Sequence, residues 1–437
     1  MAPNPFRVAI IGGGITGLTT ALFIQHFCGS HPIQIDVYEQ AEGYRDTGGG
    51  INIGVNAARL LHAIGVGDAC NSIAGSKDGV WFTFRRWDTS DEITTIHSRD
   101  HGKVRQAAVS RAGFLKVLLK FVLERKAAKL HMKKKYLRVE NLGHRMDIRF
   151  ADGSSVDADL VLGCDGIHSR VRRQFVQDKA IYTGKIVYRG VIPMSQVAPI
   201  WDLPSHSVMF IGRGKHLVTY PIDANETLNF VGCFTEEEDK LGDLKESWST
   251  TCDRAELLEK CGDGAELVRN VLALAPEKPS KWLINDRKPI PDWTFQGGKV
   301  ALMGDAAHPM VPHQSAGAGQ AIEDGYIIAR SLAEHLDRRP AGNQISTDLE
   351  KWMHLYQRVR LPRASKVQQT SRDSGLLYHL RGPAMQGKTD EECMDILAKT
   401  VQERINWILG EDLDALYERE RAQVLGLLEG AKIETEQ

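Results

Sequence analysis

Three strand-to-helix turns gather the residues of this chain that could do chemistry. The first, GGGITG, follows the β-branched run RVAII and precedes LTTALFIQHF, which has helical spacing. Gly12, Gly14 and Gly17 fit GxGxxG. The first glycine allows a tight turn, the second lets a pyrophosphate reach the backbone, and the third permits close helix–strand packing. The helix start then offers N–H groups and a positive dipole end to the phosphates. Glu39 lies about 20 residues further on, at the end of IQIDVYEQ, where a carboxylate accepts from both hydroxyls of an adenosine ribose. That acid favours FAD or NAD and disfavours NADP in this slot.

The second turn is DLVLGCDGIHSRVR, with Asp165, Gly166, Ser169 and Arg172 after a strand. Asp165 suits a helix cap and a cofactor contact equally. The third is MGDAAHPMVPHQSAGAGQAIEDG, starting at Met303. It holds Asp305, His308, His313 and a cluster of glycines, and Pro309 and Pro312 stiffen it through their fixed φ. His313 titrates in the range needed for proton transfer, while His308 reads as structural. The seven cysteines are scattered without a CxxC pair, and no His/Cys/carboxylate group has metal spacing. No metal is expected. G-x-S-x-G is absent too, which argues against serine-hydrolase chemistry.

The elements that must position these residues are readable from periodicity. Strand, glycine turn, helix and strand at the N-terminus make one βαβ unit and imply a parallel sheet. VNAARLLHAIGVGDAC has the spacing of one amphipathic helix, GVWFTFRRWD reads as a strand, and VSRAGFLKVLLKFVLERKAA as a helix capped near Ser110. From about residue 181 to 283 the texture changes. KIVYRGVI, HSVMFIGRG, HLVTYPID and TLNFVGCF alternate like an antiparallel sheet, and CDRAELLEKCGDGAELVRNVLALA like a helix pair. After about residue 346 the chain reads as charged helices, preceded by an RRPAGNQ loop. KKK at 133–135 and EEED at 236–239 read as solvated faces.

A formal net charge of −1 gives no general pull toward nucleic acid or anionic membrane. No apolar run approaches the roughly 18–20 residues of a membrane helix. The start, MAPNPFRVAI, lacks the pattern of a signal peptide. The cytoplasm is the expected compartment, and scattered cysteines fit a reducing one.

The three turns in this order, glycine fingerprint, DG and GD, resemble the class A flavoprotein aromatic hydroxylases, the single-component flavin monooxygenases. The loop GDAAHPMVPHQSAGAG is most similar to the salicylate hydroxylase-like branch, and the resemblance extends to about residue 370. It implies an α/β fold: a Rossmann-like FAD-binding domain of the para-hydroxybenzoate hydroxylase type, an antiparallel substrate sheet and C-terminal helices. The implied division places FAD-binding residues at 1–180 and 284–345, with a strand excursion near 78–100 joining the substrate sheet. Residues 181–283 form the substrate domain and 346–437 the helical region.

The same resemblance implies site roles. Asp305 binds the flavin ribityl chain. Gly317, Ala318 and Gly319 present N–H groups to the flavin ring, and Gly50 and Asn52, in GGGINIG, lie beside it. Arg111 reaches the ribityl and phosphate region. Asp165 touches FAD and the reduced pyridine nucleotide. Arg189 and Tyr220 match positions that hold phenolic substrates, and His313 and Gln314 face the reacting ring. A framework salt bridge for Arg189, a core role for Tyr220 and a structural role for His313 remain open alternatives. The implied activity is hydroxylation of a small phenolic aromatic. FAD is tightly bound, NADH or NADPH is a transient co-substrate, and O2 forms a flavin C4a-hydroperoxide. A monomer or homodimer is expected. Other readings are a fungal secondary-metabolite monooxygenase that dearomatises phenols or oxidises indoles, and a non-catalytic FAD-binding protein. The WxWxIP segment of a flavin halogenase is absent.

Overall fold

Parallel pairing begins where the sequence alternates least, in the short β-branched runs. The computed structural model describes residues 4–44, 49–75, 79–241, 250–338 and 348–426. Phe6–Ile11 pairs in parallel with Leu160–Gly163 on one side and Ile33–Tyr38 on the other. Lys129–His131 and Val300–Leu302 extend this sheet in parallel, and Thr294–Phe295 closes one edge antiparallel. Both faces are covered, as parallel strands require. The helices Ile15–Cys28 and Gly317–Asp337 pack closely on one another beside it.

A second, seven-stranded sheet lies above the carboxyl ends of these strands. Its order is Ser280–Asp286, Ile181–Pro193, Thr227–Thr235, Lys215–Ile222, Val208–Gly212, Val80–Arg86 and Glu92–His97. All pairs are antiparallel except Val208–Gly212 with Val80–Arg86. Alternation assigns its faces. Ile186, Tyr188, Phe210, Leu217 and Phe230 form one core with the helices Arg254–Lys260 and Glu266–Ala273. The intervening residues face the first sheet.

Three helices, Leu349–Leu377, Asp390–Gly410 and Leu413–Val424, finish the described chain. Leu377, Tyr378, Leu397 and Val401 pack with Trp81, Phe84 and Met209, so the end of the long helix and Asp390–Gly410 brace the second sheet, while Leu413 and Tyr417 pack into the core of the first. Among the described residues no helix is long and apolar enough to cross a membrane.

Two local readings are corrected. The amphipathic run expected as one helix is two, Val55–Ala63 and Gly67–Ile73, because Gly65 adopts φ +68° and breaks it. The KKK run is not simply solvated: Lys134 donates to Asp152 Oδ2 (2.6 Å) and Ser154 Oγ, and Lys134 and Lys135 line a deep cavity. The expected cap holds, with Ser110 Oγ accepting from Gly113 N–H. The RRPAGNQ loop lies, apart from Arg338, outside the described residues.

Candidate active site

A cavity of about 750 Å³ lies between the two sheets. That lies within the range of about 300–1,000 Å³ usual for ligand cavities. All three chemistry-bearing turns open into it. Of the cofactor and substrate candidates read from sequence, Gly17, Gly319 and Gln314 do not line it.

At one end sits the glycine turn. A Cβ at Gly12 would meet Cys164 O at 2.4 Å, and one at Gly17 would meet Gly12 O at 2.0 Å. Gly17 is therefore the packing glycine. A Cβ at Gly14 would meet nothing within 4 Å, which leaves the backbone open to a ligand. Glu39 Oε2 accepts from Gly13 N–H at 2.8 Å and Oε1 from Ala41 N–H at 2.8 Å. Each oxygen retains a lone pair for a ribose hydroxyl. Asp165 does cap: it accepts from Arg170 N–H (2.7 Å), Val171 N–H (3.2 Å) and Ser169 Oγ–H (2.5 Å). Burial nonetheless raises its carboxyl above the ordinary range.

The GDAAHP loop forms the middle of the cavity. Gly304 is left-handed at φ +57°, with Thr16 Oγ1 where a Cβ would lie, so glycine is required. Asp305 follows, with its side chain accessible through the cavity and no hydrogen bond from the described protein. Burial among the cavity walls raises its pKa, partly relieved by His308 and Arg111. An acid with free acceptors at this point suits a polyhydroxyl chain. The helix Gly317–Asp337 starts just beyond, and its first N–H groups, at Gly317 and Ala318, edge the cavity.

Beneath the loop is a buried ionic network that sequence reading missed. Gly304 N–H and His308 Nε2 both meet Asp324 Oδ2, at 2.8 and 2.6 Å. Arg360 bonds Asp324 Oδ1 (2.8 Å) and Glu323 Oε2 (2.5 Å), and Arg363 grips Glu323 through two 2.8 Å bonds. Asn56 Nδ2 adds a bond to Glu323 Oε1. Burial would raise both acids, but the arginines, with His308 at Asp324, hold them below their ordinary values. His308 is structural, as read. The signal was present: an Glu-Asp pair inside the apolar helix AIEDGYIIA, and arginines three apart in RVRLPR.

The far end is lined by the inner face of the second sheet. Arg189 and Tyr220 project there, where Gly49 and Gly50 make room: a Cβ at either would lie within 2.5 Å of those side chains. Arg189 stacks on Trp282 at 5.0 Å and has no acidic partner among the described residues. This disfavours the framework salt bridge. Burial and the nearby Arg111 lower its pKa, Tyr220 opposing, yet an arginine stays charged. Burial raises the Tyr220 hydroxyl despite Arg189. His313 lies against Gly375, its ring 5.5 Å from His216. Burial first, then His216 and Lys185, push its pKa well below the ordinary value. It is neutral at pH 7, a hydrogen-bond partner but a poor store for a proton. Gln314 does not reach the cavity: it bonds Ser374 Oγ and Thr370 Oγ1 on the long helix. Asn229, also missed, accepts Gly50 N–H at 2.8 Å and anchors that strand.

The FAD binding domain family model matches residues 6–371. The chain belongs to the FAD-dependent aromatic hydroxylases. A salicylate hydroxylase of Pseudomonas putida is 30% identical over 437 residues, covering 96% of this chain and 95% of that protein. A 6-methylsalicylate 1-monooxygenase of Aspergillus terreus is 31% identical, covering 94% and 90%. A solved structure, a salicylate hydroxylase substrate complex, superposes with a TM-score of 0.80 at 28% identity, over 95% of this chain and 98% of that one. This hydroxylase is thus an enzyme that uses FAD to oxygenate phenolic aromatics.

Proposed function

We propose that this hydroxylase acts on a phenol carrying an acidic group, an ortho-hydroxybenzoate or close analogue. The carrying observation is Arg189. It is a guanidinium held at the cavity's far end, stacked on Trp282, without an anion among the described residues. A buried cation wants a partner. The planar fork suits a carboxylate or phenolate. Salicylate and 6-methylsalicylate, named for two relatives, have both groups on one ring.

Bound FAD, reduced by NADH or NADPH, supplies an electrophilic oxygen from O2. The chain's own residues do the rest. The Gly12–Gly14 turn, Glu39 and Asp305 hold the dinucleotide and ribityl hydroxyls. Gly317, Ala318 and Gly319 direct the positive helix end at the flavin ring, with Gly50 and Asn52 on its other side. Arg111 and Asp165 complete the cofactor's walls. Arg189 orients the substrate and favours its anionic form, which lowers the phenol's pKa. Tyr220 and neutral His313 offer hydrogen bonds that fix the ring. Val187, Val231 and Ile284 exclude water. The two sheets support a division into cofactor segments, 1–180 and 284–345, and a substrate segment, 181–283. Seven free cysteines, six of them buried, support a reducing compartment such as the cytoplasm.

The test is NADH and NADPH consumption across phenolic acids, simple phenols and indoles, with product mass. Phenolic acids should stimulate oxidation most. A gain of one oxygen marks hydroxylation, and loss of carbon dioxide as well marks oxidative decarboxylation. Arg189→Ala should stay yellow and raise KM about 10–100-fold, the scale of one lost charge-assisted bond. Loss of FAD instead would sink the assignment of Arg189 to substrate.

A further inference from the structure

Two side chains on the cavity wall, His216 and Cys233, have no part in the hydroxylation proposed above, and His313 beside them has only a hydrogen bond to the substrate ring. His216 and Cys233 face each other in register across the antiparallel pair Lys215–Ile222 and Thr227–Thr235, so both project from one face. His313 arrives from the opposite wall on the turn Pro312–Gln314. One nitrogen of each ring and Cys233 Sγ all lie within 4.8 Å of one another. All three residues are buried and line the cavity. The Nδ1 atoms of His216 and His313 are buried without a hydrogen-bond partner. Buried polar atoms almost always have one. A neutral imidazole also keeps one nitrogen lone pair free for a ligand.

We propose that His216, Cys233 and His313 form a soft metal site for Zn2+ or Cd2+, and that its occupancy closes the aromatic pocket. Two imidazoles and a thiolate are the donor set these ions favour, and three protein ligands leave a fourth position for water. Tetrahedral bonds of about 2.0–2.3 Å put donors about 3.4–3.6 Å apart, so side-chain rotations of about 1 Å complete the site. On binding, the Cys233 Sγ–H bond breaks, an Sγ–metal bond forms and the proton leaves to solvent. No electrons change hands. Lys185, buried nearby, favours the thiolate. His379, 5.0 Å from His216, has Nδ1 on Thr235 Oγ1 and supports the ring from behind.

The closure half of this proposal rests on the aromatic reading of the pocket; the binding half does not. Chelator-treated holoenzyme is titrated with Zn2+ or Cd2+ by calorimetry, and salicylate is then added while the flavin spectrum is followed. One equivalent should bind and block the salicylate-induced spectral change. Cys233→Ser and His216→Asn should each weaken metal binding at least 10-fold, with flavin retention reporting folding. Cys252→Ser, which replaces the most accessible cysteine, should change nothing. Metal binding that survives both pocket variants, or disappears in Cys252→Ser, overturns the site. Binding that leaves the salicylate response intact overturns closure. If salicylate perturbs no metal-free spectrum, the substrate reading fails while calorimetry still decides the site.

Discussion

At the scale of single residues, two positions in one loop make opposite demands. Asp305 is an acid that the protein raises in pKa and does not hydrogen-bond, so its purpose is external. Asp305→Ala should fold yet bind FAD at least 10-fold more weakly, the loss expected for one or two charge-assisted bonds. Flavin fluorescence released on dilution measures this; unchanged retention would remove Asp305 from the cofactor site. Ser315, ten residues on, sits at φ +52° and ψ 29°. Serine is strained there and glycine is not. Ser315→Gly should raise stability by up to about 1 kcal/mol, the left-handed penalty less glycine's entropy. Thermal unfolding of the holoenzyme reads it, and a lower midpoint would show that the Ser315 side chain contributes more than its backbone costs.

Elements explain why some of the site was legible and some was not. GxGxxG, DG and GD were readable because each demand is local: a turn, a cap, a left-handed glycine. Arg189 and Tyr220 came from the family resemblance, and strand alternation alone says only that one face of their strands meets the pocket. The Glu323–Arg360–Arg363–Asp324 network was not, because it joins helices that start at residues 317 and 349, and helical periodicity counts a charged residue as a surface one. His216 and Cys233 were hidden in the same way, since their strand register is invisible in linear spacing. The network has a measurable consequence. Arg360→Leu removes the arginine of Asp324 and one of the two arginines of Glu323, and breaking a buried pair costs about 3–5 kcal/mol. Denaturant unfolding should show that loss, together with weaker FAD retention, since Asp324 also holds Gly304. The double change Arg360→Leu, Asp324→Asn, which leaves Arg363 paired with Glu323, should recover part of the stability. No recovery would mean that the arginine acts by packing.

Across the whole molecule, the braced second sheet keeps three histidines neutral where it meets the C-terminal helices. His216 falls to about 3, and His313 and His379 fall well below their ordinary value, burial being the largest cause in each. The unfolded chain binds their protons below about pH 6.5. The folded chain does not. Stability from these groups is therefore complete above pH 6.5 and is lost as pH falls toward the folded values. Each histidine removes about 2 kcal/mol between pH 7 and 5. Glu323 and Asp324, depressed from values near 4, add their loss only at lower pH, while Asp165 and Asp305, raised by burial, act with the opposite sign, so the difference made by one histidine variant is the quantity to read. Denaturant unfolding at pH 7 and pH 5 should show the drop, and His379→Gln should shrink it by about one histidine's share. An equal drop in that variant would mean that His379 protonates while folded, and that the contact between the second sheet and the C-terminal helices admits water.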